Sequence, residues 1–367
     1  QSGRVVQSAG DVNGDGLDDI MVSATHAAKT TTILQAGVVY VIFGRVNVTD
    51  IDLLDFSSSA QSGFKIFGPG ADNYAGWALA SADFNHDTIP DIMLTLNGAA
   101  PFSRTSAGAV FVLFGQAYTA PYADIDLLSY PFGPTTGFRI AGAAAQDFVG
   151  SGLDSAGDMN GDGIEDIIFS APYHTLNGVA NVGLTYVLFG HVSSYPFADI
   201  DLLNFVPGPT VGMLIAGKTD GEICGSSVSS AGDVNGDGSF DLIVGAANAK
   251  PYGRTQAGLT YVLYGTPPPP TAAPTVTVTL APTTSALPGH LYLGGAVGDN
   301  VGRAVGSAGD MNGDGIDDFT ISANYADFNN VVDCGMVYVV FGKSGGTLFG
   351  DVDLLDFVSA NNVGFRV

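Results

Sequence analysis

Short apolar runs of four to seven residues alternate with segments rich in Gly, Asn, Asp and Pro along the whole chain. The runs favour Val, Ile, Phe and Tyr, and several end in an aromatic residue followed by glycine, as at 38–44 and 260–265. Runs of this length and composition are typical of β-strands, whereas amphipathic helices need longer segments with a period of three to four residues. The pattern therefore predicts an all-β protein.

The same order of four runs recurs five times, which predicts five four-stranded sheets. A single sheet of this size leaves both faces uncovered, and stacking the sheets around an axis lets each cover the next. Such an arrangement is a β-propeller. We therefore predict one domain, residues 1–367, that forms a β-propeller of five blades. The blades are expected at about 1–67, 68–141, 142–216, 217–293 and 294–367.

A recurring apolar and acidic segment joins the third and fourth runs and is interpreted as a packed crossover at the blade edge. It reads Ile-Asp-Leu-Leu-Asp-Phe at 51–56, Asp-Ile-Asp-Leu-Leu at 124–128 and 199–203, and Asp-Val-Asp-Leu-Leu-Asp-Phe at 351–357. The fourth repeat has a Pro- and Thr-rich insertion at 267–288 instead. We interpret this insertion as an exposed polyproline II loop, with an O-glycosylated segment or a docking strand as alternatives.

An acidic motif of nine residues, Asp-x-Asn-x-Asp-Gly-x-x-Asp or a near copy, separates the first two runs of every repeat. Positions 1, 3, 5 and 9 offer side-chain oxygens, and position 7 offers a backbone carbonyl. Oxygen ligands with several carboxylates favour Ca²⁺ over Mg²⁺, Zn²⁺ or copper. The candidate calcium ligands are Asp11, Asn13, Asp15, Leu17 and Asp19; Asp83, Asn85, Asp87, Ile89 and Asp91; Asp158, Asn160, Asp162, Ile164 and Asp166; Asp233, Asn235, Asp237, Ser239 and Asp241; and Asp310, Asn312, Asp314, Ile316 and Asp318.

Up to five calcium ions are therefore expected, with the weakest site in the second loop. Its position 6 is Thr88, a β-branched residue poorly suited to a positive φ, where the other loops have glycine. We expect this loop to bind weakly or to change its geometry. The motif is not an EF-hand, because it lacks a Glu at position 12 and lies between strands. For any single loop, an acidic turn without metal is the alternative.

The charge balance excludes one class of partner. The chain has 36 acidic and 12 basic residues and a formal net charge of −24, so no nucleic acid partner is expected. No apolar run reaches the length of a membrane-spanning helix. Charged residues form only 13% of the chain. This suggests a β-rich body with little helical surface, or a surface partly buried against copies of itself.

Several single residues carry less specific signals. Cys224 and Cys334 lie where other repeats have small apolar residues, so two free buried thiols are favoured and one disulfide is the alternative. Trp77, the only tryptophan, is expected in the core. The five histidines lack metal-ligand spacing, and neither a nucleophile elbow nor a phosphate loop is present. No enzymatic activity is therefore expected.

Three segments carry a family resemblance: Ser-Ala-Gly-Asp-Val-Asn-Gly-Asp-Gly at 8–16, Gly-Phe-Arg-Ile-Ala-Gly at 137–142 and Tyr-Val-Leu-Phe-Gly at 186–190. With them the chain resembles the FG-GAP, or integrin α-like, repeat family, most in the style of bacterial and simple-eukaryote surface proteins. The resemblance implies a β-propeller with calcium between the first two strands of each blade. Integrin-type propellers have seven blades, so five repeats leave open that the chain is part of a larger ring.

The resemblance also implies a function. We expect a non-catalytic, calcium-stabilised β-propeller at the cell surface or outside the cell, which recognises or adheres to a surface protein or glycan. The alternative is a structural subunit that assembles with copies of itself into an extracellular filament or coat. Asn47, in the sequon Asn-Val-Thr, is a candidate glycosylation site.

Overall fold

A computed structural model describes residues 2–46, 50–59, 61–115, 123–192, 197–265, 277–279, 289–329, 331–344, 351–360 and 363–367. The candidate glycosylation site at Asn47 lies outside the described residues, as does the 267–288 insertion apart from 277–279. The chain divides into two compact units. The first contains residues 1–150 and 190–205, and the second contains residues 151–189 and 206–367.

The first unit contains two five-stranded sheets. In spatial order, the first sheet consists of β1 (Val6–Gly10), β2 (Asp19–Ala24), β3 (Val38–Ile42), β4 (Gly63–Phe67) and β8 (Ile125–Asp126). The second consists of β5 (Ala75–Ala82), β6 (Asp91–Leu96), β7 (Ala109–Leu113), β9 (Gly137–Ala141) and β13 (Ile200–Asp201). Short 3-10 turns lie at Pro101–Ser103 and Leu202–Asn204.

The second unit contains three sheets. The first consists of β10 (Leu153–Gly157), β11 (Asp166–Ala171), β12 (Leu184–Leu188), β14 (Gly212–Ala216) and β18 (Thr277–Thr279). The second consists of β15 (Cys224–Gly232), β16 (Asp241–Ala246), β17 (Leu259–Leu263), β19 (Gly289–Leu293) and β23 (Val352–Asp353). The last consists of β20 (Val301–Gly309), β21 (Asp318–Ala323), β22 (Met336–Val340) and β24 (Gly364–Arg366). Further 3-10 turns lie at Pro251–Gly253 and Leu354–Asp356.

The predicted all-β class is confirmed, since the described residues contain strands and 3-10 turns but no α-helix. No described helix is long and apolar enough to cross a membrane. The first four strands of each sheet are antiparallel neighbours, as the four runs per repeat predict. Every residue of β6, β11 and β16 is buried, because these inner strands are covered on both faces. A strand of this kind reads as a continuous apolar run rather than an alternating one.

The connecting segments form a fifth strand, which the sequence did not predict. β8 pairs in parallel with β4, with Ile66 opposite Ile125 and Phe67 opposite Asp126. β13 and β23 pair in the same way with β9 and β19. Each of these three connectors thus adds a strand to the sheet of the preceding repeat, whereas residues 50–54 form no strand. Residues 277–279 also pair in parallel, with β14, so the predicted polyproline II loop is wrong at these three positions.

The two aspartates of each connector that forms a strand have separate structural roles. The first accepts the N–H of the third residue of the strand beside it, as Asp199 does from Arg139 at 2.8 Å. The second binds a cation of the preceding repeat, as Asp201 binds both guanidinium nitrogens of Arg104. It also accepts the N–H two residues on, which caps the following turn. These carboxylates therefore secure the fifth strand.

Arg254 and Asp353 form the corresponding latch in the fourth sheet, and their side chains are only 24% and 21% exposed. We expect Arg254→Ala to lower the free energy of unfolding by about 1–2 kcal/mol, because a partly buried carboxylate loses a two-point partner. Urea unfolding in millimolar calcium measures the change. The matched control is Arg139→Ala, whose ion pair with Asp199 is half exposed and should cost about 0.5 kcal/mol. Equal losses in the two variants would contradict a special role for the latch.

Two predictions about single residues need correction. Cys224 is buried and free as expected, but Cys334 is exposed, and the two form no disulfide. The equivalent Ala36 is buried, and its carbonyl accepts the N–H of Ala75 from the next repeat. Among the described residues, the carbonyl of Cys334 accepts no such hydrogen bond from another repeat. Trp77 is half-buried rather than a core residue, and the Arg4 guanidinium lies 3.6 Å from its ring centroid.

Candidate metal centres in the acidic loops

Each acidic motif forms the turn between the first two strands of its sheet, and all five share a hydrogen-bond pattern. In the first loop, Asp11 accepts the N–H groups of Asp15 and Gly16 at 2.9 and 2.7 Å. Asn13 Oδ1 also accepts from Asp15, and Asp15 Oδ1 accepts from Leu17, both at 2.9 Å. The position-1 carboxylates of the other loops, Asp83, Asp158, Asp233 and Asp310, make the same two bonds. The turn is thus held by its own acidic side chains.

Position 9 is the most buried carboxylate of each loop. Asp241 is 0% exposed and accepts the N–H of Val234 through Oδ2 and the N–H of Gly265 through Oδ1, both at 2.9 Å. Gly265 follows Tyr264, the aromatic residue directly after the third strand, and a Cβ there would stand 2.2 Å from the carbonyl oxygen of Phe240. The last carboxylate of the acidic loop and the glycine after the third strand are therefore joined directly by a hydrogen bond.

The same contact recurs in other loops. Asp19, Asp91 and Asp318 accept from Gly44, Gly115 and Gly342 at 2.8, 2.9 and 2.9 Å. Sequence reasoning missed these glycines, although their recurrence 24 or 25 residues after position 9 was visible.

Burial opposes the charge of the position-9 carboxylates. It raises the pKa of Asp19 to about 6 and the pKa values of Asp91 and Asp241 to about 8, and the backbone hydrogen bonds offset only part of this. The neighbouring aspartates of each loop raise these pKa values further. A divalent cation would counter both effects, because it stabilises the charged carboxylates around it.

The side chains at positions 3, 5 and 9 converge. In the fourth loop, Asn235 Nδ2 donates to Asp237 Oδ2 at 3.0 Å and lies 3.5 Å from Asp241 Oδ1. The buried oxygen Asn235 Oδ1 has no hydrogen-bond donor. A buried acceptor without a partner is costly, and a cation among oxygens would satisfy it. The residues of the loop therefore fit a calcium ion.

The loops are candidate centres rather than assembled cages. Within the described ranges, no three carboxylate, imidazole or thiolate groups already stand in an arrangement that could hold a metal ion. At position 7 the N–H groups donate to the position-5 carboxylates; the role of the position-7 carbonyls as ligands stays a prediction. The position-7 residues are Leu17, Ile89, Ile164, Ser239 and Ile316.

The second loop keeps the backbone of the others. Thr88 takes a φ of 75° and His86 a φ of 57°, where the first loop has Gly16 and Gly14. The position-1 aspartate still accepts both loop N–H groups, at 3.0 and 2.8 Å. Of the two outcomes expected for this loop, a changed geometry is therefore not observed. Weaker binding stays a prediction.

We expect Thr88→Gly to raise the free energy of unfolding by about 1–2 kcal/mol, because it relieves a β-branched residue held at positive φ. The reverse change, Gly163→Thr in the third loop, should lower it by a similar amount. A Cβ at Gly163 would meet no atom within 4 Å, so this variant isolates the backbone cost. Thermal unfolding of both variants with and without calcium checks the pair. Shifts of the same sign would contradict the strain at Thr88.

Comparison with known proteins supports the repeat assignment. The FG-GAP repeat model matches residues 3–42 and 225–263. Each matched segment contains one whole acidic loop and the three strands around it. Integrin alpha-V of Gallus gallus is 27% identical over 242 residues, which are 65% of this chain and 19% of the relative. Integrin alpha-PS2 of Drosophila melanogaster is 26% identical over 209 residues, or 55% of this chain and 12% of the relative.

Another relative corrects the expectation of a protein without enzymatic activity. The phosphatidylinositol-glycan-specific phospholipase D of Bos taurus is 28% identical over 220 residues, which are 57% of this chain and 24% of the relative. The protein of the same name from Homo sapiens is 29% identical over 196 residues, which are 52% of this chain and 21% of the relative. These relatives are enzymes by name, so that expectation no longer stands. The chain spans less than a quarter of the length of the relatives described here.

The repeat assignment follows from the matches and the loop geometry together. The matched segments contain the acidic loop and the glycine-led first strand, and they end directly before the aromatic residue and the glycine that follow the third strand. In the fourth repeat, hydrogen bonds of Asp241 join the loop to that glycine. The chain therefore contains FG-GAP repeats and resembles integrin alpha chains over part of its length, with an all-β fold of β-propeller type.

Proposed function

We propose that this chain is a calcium-stabilised, extracellular β-propeller module that recognises a protein or glycan at the cell surface. The observation that carries the proposal is the buried position-9 carboxylate, which recurs in all five loops. In the second and fourth loops it also lies 3.5 Å from the Asn side chain of position 3. A bound cation would stabilise the buried negative charge of this carboxylate. Extracellular calcium-binding modules have dissociation constants of about 10⁻⁴–10⁻³ M, which matches calcium concentrations outside cells.

The acidic composition supports this setting. Five divalent ions would add ten positive charges to a formal charge of −24 and leave about −14. Similarity to integrin alpha chains supports a protein partner for the module.

A cluster in the first unit offers a surface for recognition. The Arg4 guanidinium lies over the Trp77 ring, and the Tyr74 ring centroid lies 6.3 Å from that of Trp77 and 5.4 Å from that of His26. Arg4 and His26 are exposed, while Tyr74 and Trp77 are half-buried. Tryptophan, tyrosine and arginine are enriched among the residues that contribute most to binding. The only tryptophan of the chain is thus accessible to a partner.

The proposal is tested by binding of the purified protein to cells and to arrays of surface glycans, in calcium and in EGTA. We expect binding in calcium, its loss in EGTA, and about tenfold weaker binding for Trp77→Ala, the usual effect of losing one anchoring aromatic. The control is Tyr252→Ala, because Tyr252 is an exposed aromatic that also lies beside an arginine, Arg254. Binding that ignores calcium, or that Tyr252→Ala weakens equally, would contradict the proposal.

The phospholipase relatives favour a second candidate function, that of a module within an enzyme acting on phosphatidylinositol-glycan anchors. Release of an anchored reporter protein from detergent micelles tests this directly. Release above the background of a heat-inactivated sample would favour the enzyme, and its absence would leave recognition as the better supported function.

A further inference from the structure

The fourth and fifth acidic loops, 233–241 and 310–318, are joined to each other by hydrogen bonds within the second unit. Asp317, at position 8 of the fifth loop, accepts the N–H of Asp233 through Oδ2 at 3.0 Å. The N–H of Asp317 donates to the carbonyl oxygen of Asp233 at 3.3 Å. Asp233 is position 1 of the fourth loop and a candidate calcium ligand. A residue of the fifth loop therefore holds both backbone polar groups of a ligand in the fourth.

A second path joins the position-9 carboxylates of the same two loops. Asp241 Oδ2 accepts the N–H of Val234 at 2.9 Å, and the carbonyl oxygen of Val234 accepts the N–H of Lys343 at 2.9 Å. The residue before it, Gly342, donates its N–H to Asp318 Oδ1 at 2.9 Å. Two candidate ligands of different loops are thus connected through hydrogen bonds and two short pieces of backbone.

The position-8 carboxylate distinguishes this pair of loops from other neighbouring pairs. Each position-8 residue lies against the glycine that precedes the neighbouring loop, as Pro90 lies against Gly10 and Phe240 against Gly157. The proline has no N–H, and neither Pro90 nor Phe240 has an acceptor in its side chain. The bond that Asp317 accepts therefore has no side-chain equivalent at those two contacts.

Such a connection couples the order of the two loops. Without an ion, the carboxylates of each loop repel one another at close range. An ion bound in the fourth loop fixes Asp233 and Asp241, and the hydrogen bonds then restrain the backbone on which Asp318 depends. A second ion binds to a loop that is already partly ordered, so it loses less conformational entropy.

We propose that the fourth and fifth loops bind calcium with positive cooperativity and that Asp317 is a positioning residue that transmits the coupling. The inference rests on the proposed function, because it requires that the loops bind calcium. Coupled sites typically change each other's affinity by roughly 5–150-fold, and the effect is equal in both directions. For a factor of about ten, the two loops fill together with a Hill coefficient of about 1.5.

A calcium titration of protein labelled with ¹⁵N-glycine, followed by NMR, tests the coupling loop by loop. The N–H groups of Gly163, Gly238 and Gly315 donate to the position-1 carboxylates of the third, fourth and fifth loops, each at 2.8 Å. An ion bound to that carboxylate changes the chemical shift of the amide. The titration therefore gives the half-saturating calcium concentration of each loop separately.

Removing a ligand from one loop should weaken the other. Asp314→Ala in the fifth loop should raise the half-saturating concentration at Gly238 about threefold, which is the effect of a tenfold coupling between two sites that fill together. The Hill coefficient at Gly238 should fall to about 1, and the response of Gly163 in the third loop should not change. By reciprocity, Asp237→Ala in the fourth loop should shift the response of Gly315 by the same factor.

Variants of Asp317 test its role. In an Asp317→Ala background, Asp314→Ala should shift the response of Gly238 by much less than threefold, since the bond to the fourth loop is gone. Asp317→Asn retains an acceptor oxygen and should retain the coupling, which separates the hydrogen bond from the charge. The control is Asp18→Ala, because Asp18 is the exposed position-8 aspartate of the first loop. It should leave the responses of Gly238 and Gly315 unchanged.

The possible failures are distinguishable. If Gly238 and Gly315 respond to calcium independently, with Hill coefficients of 1 and no shift in the ligand variants, the coupling is overturned and calcium binding stands. If the shift persists in full in Asp317→Ala, the role of Asp317 is overturned. If no loop glycine responds to calcium, the metal assignment of the proposed function is overturned together with the coupling.

Discussion

Chelation of calcium with EGTA is expected to lower the melting temperature of this protein by about 10 °C or more. In about 10 mM calcium, an ion with a dissociation constant of about 10⁻⁴ M is present at a hundred times that constant and stabilises the folded protein by about 2.7 kcal/mol for each site. The first unit has two acidic loops and the second has three. Two or three such sites lost together amount to about 5–8 kcal/mol. Each 1 kcal/mol moves the melting temperature of a domain with 150–250 residues by roughly 2–4 °C, so the expected shift is at least about 10 °C.

The physical reason lies in the position-9 carboxylates. Asp91 and Asp241 are 0% exposed, and burial raises their pKa values to about 8. Each is near two further aspartates of its loop, whose charges oppose its ionisation. A calcium ion would stabilise all three charges and satisfy the unpaired oxygen of Asn235. Removing the ion leaves the folded state with the repulsion among these aspartates and with the unpaired oxygen, which lowers its stability.

Calorimetry in calcium, in EGTA and in magnesium at equal ionic strength measures the effect. Magnesium should restore little of the lost stability, since it demands a small octahedral site and retains its water. Calcium added back before the protein unfolds should return the transition to its original temperature. An identical melting temperature in calcium and EGTA would overturn the metal assignment of the loops.

The second large effect is expected for Asp241→Ala. The change removes the acceptor of two backbone N–H groups, those of Val234 and Gly265, at a site with no exposure to water. Each unsatisfied buried N–H costs about 1–3 kcal/mol, so the loss should be about 2–6 kcal/mol even in EGTA. In calcium the loss should be larger, because the variant also lacks a ligand. Urea unfolding under both conditions measures it.

Asp237→Ala is the control from the same loop. Asp237 is exposed and accepts the N–H of Ser239 at 2.9 Å, so water can replace its hydrogen bonds. In EGTA we expect this variant to lose less than about 1 kcal/mol. In calcium both variants should lose the contribution of the ion. If Asp237→Ala lowers the free energy of unfolding in EGTA as much as Asp241→Ala does, the hydrogen bonds of Asp241 to Val234 and Gly265 do not have the stabilising role assigned to them here.

Much of the fold could be predicted from the sequence because its signals are local. A run such as Val38–Ile42 is too short for a helix and rich in residues that favour strands. The acidic motif has a fixed spacing, and the glycine at its position 6 permits the positive φ that the turn requires. Strand identity, the order of four strands and the position of each loop therefore follow from patterns within one repeat.

Contacts between repeats were predicted less well. Cys334 has the same sequence position as the buried Ala36, yet it is exposed, because burial there depends on cover from another repeat. Trp77 has a large apolar ring, yet it is half-buried under Arg4, a residue 73 positions earlier. The strain at Thr88 was foreseen, but the changed geometry given as one of its two outcomes is not observed, since the hydrogen bonds of Asp83 hold the loop in place. Weaker binding, the other outcome, stays a prediction.

The sequence by itself determined the four main strands of each repeat, the fivefold repeat and the set of candidate oxygen ligands, because propensity and spacing act over a few residues. Only the tertiary structure decided that the connectors become fifth strands and that the position-9 aspartates bond the glycine that ends the third strand. It also decided that one Asp-Ile-Asp-Leu-Leu segment pairs with no described strand while two identical ones form strands. The reason is that such a segment forms a strand only where another strand lies beside it to pair with. The sequence of the segment itself does not specify that neighbour.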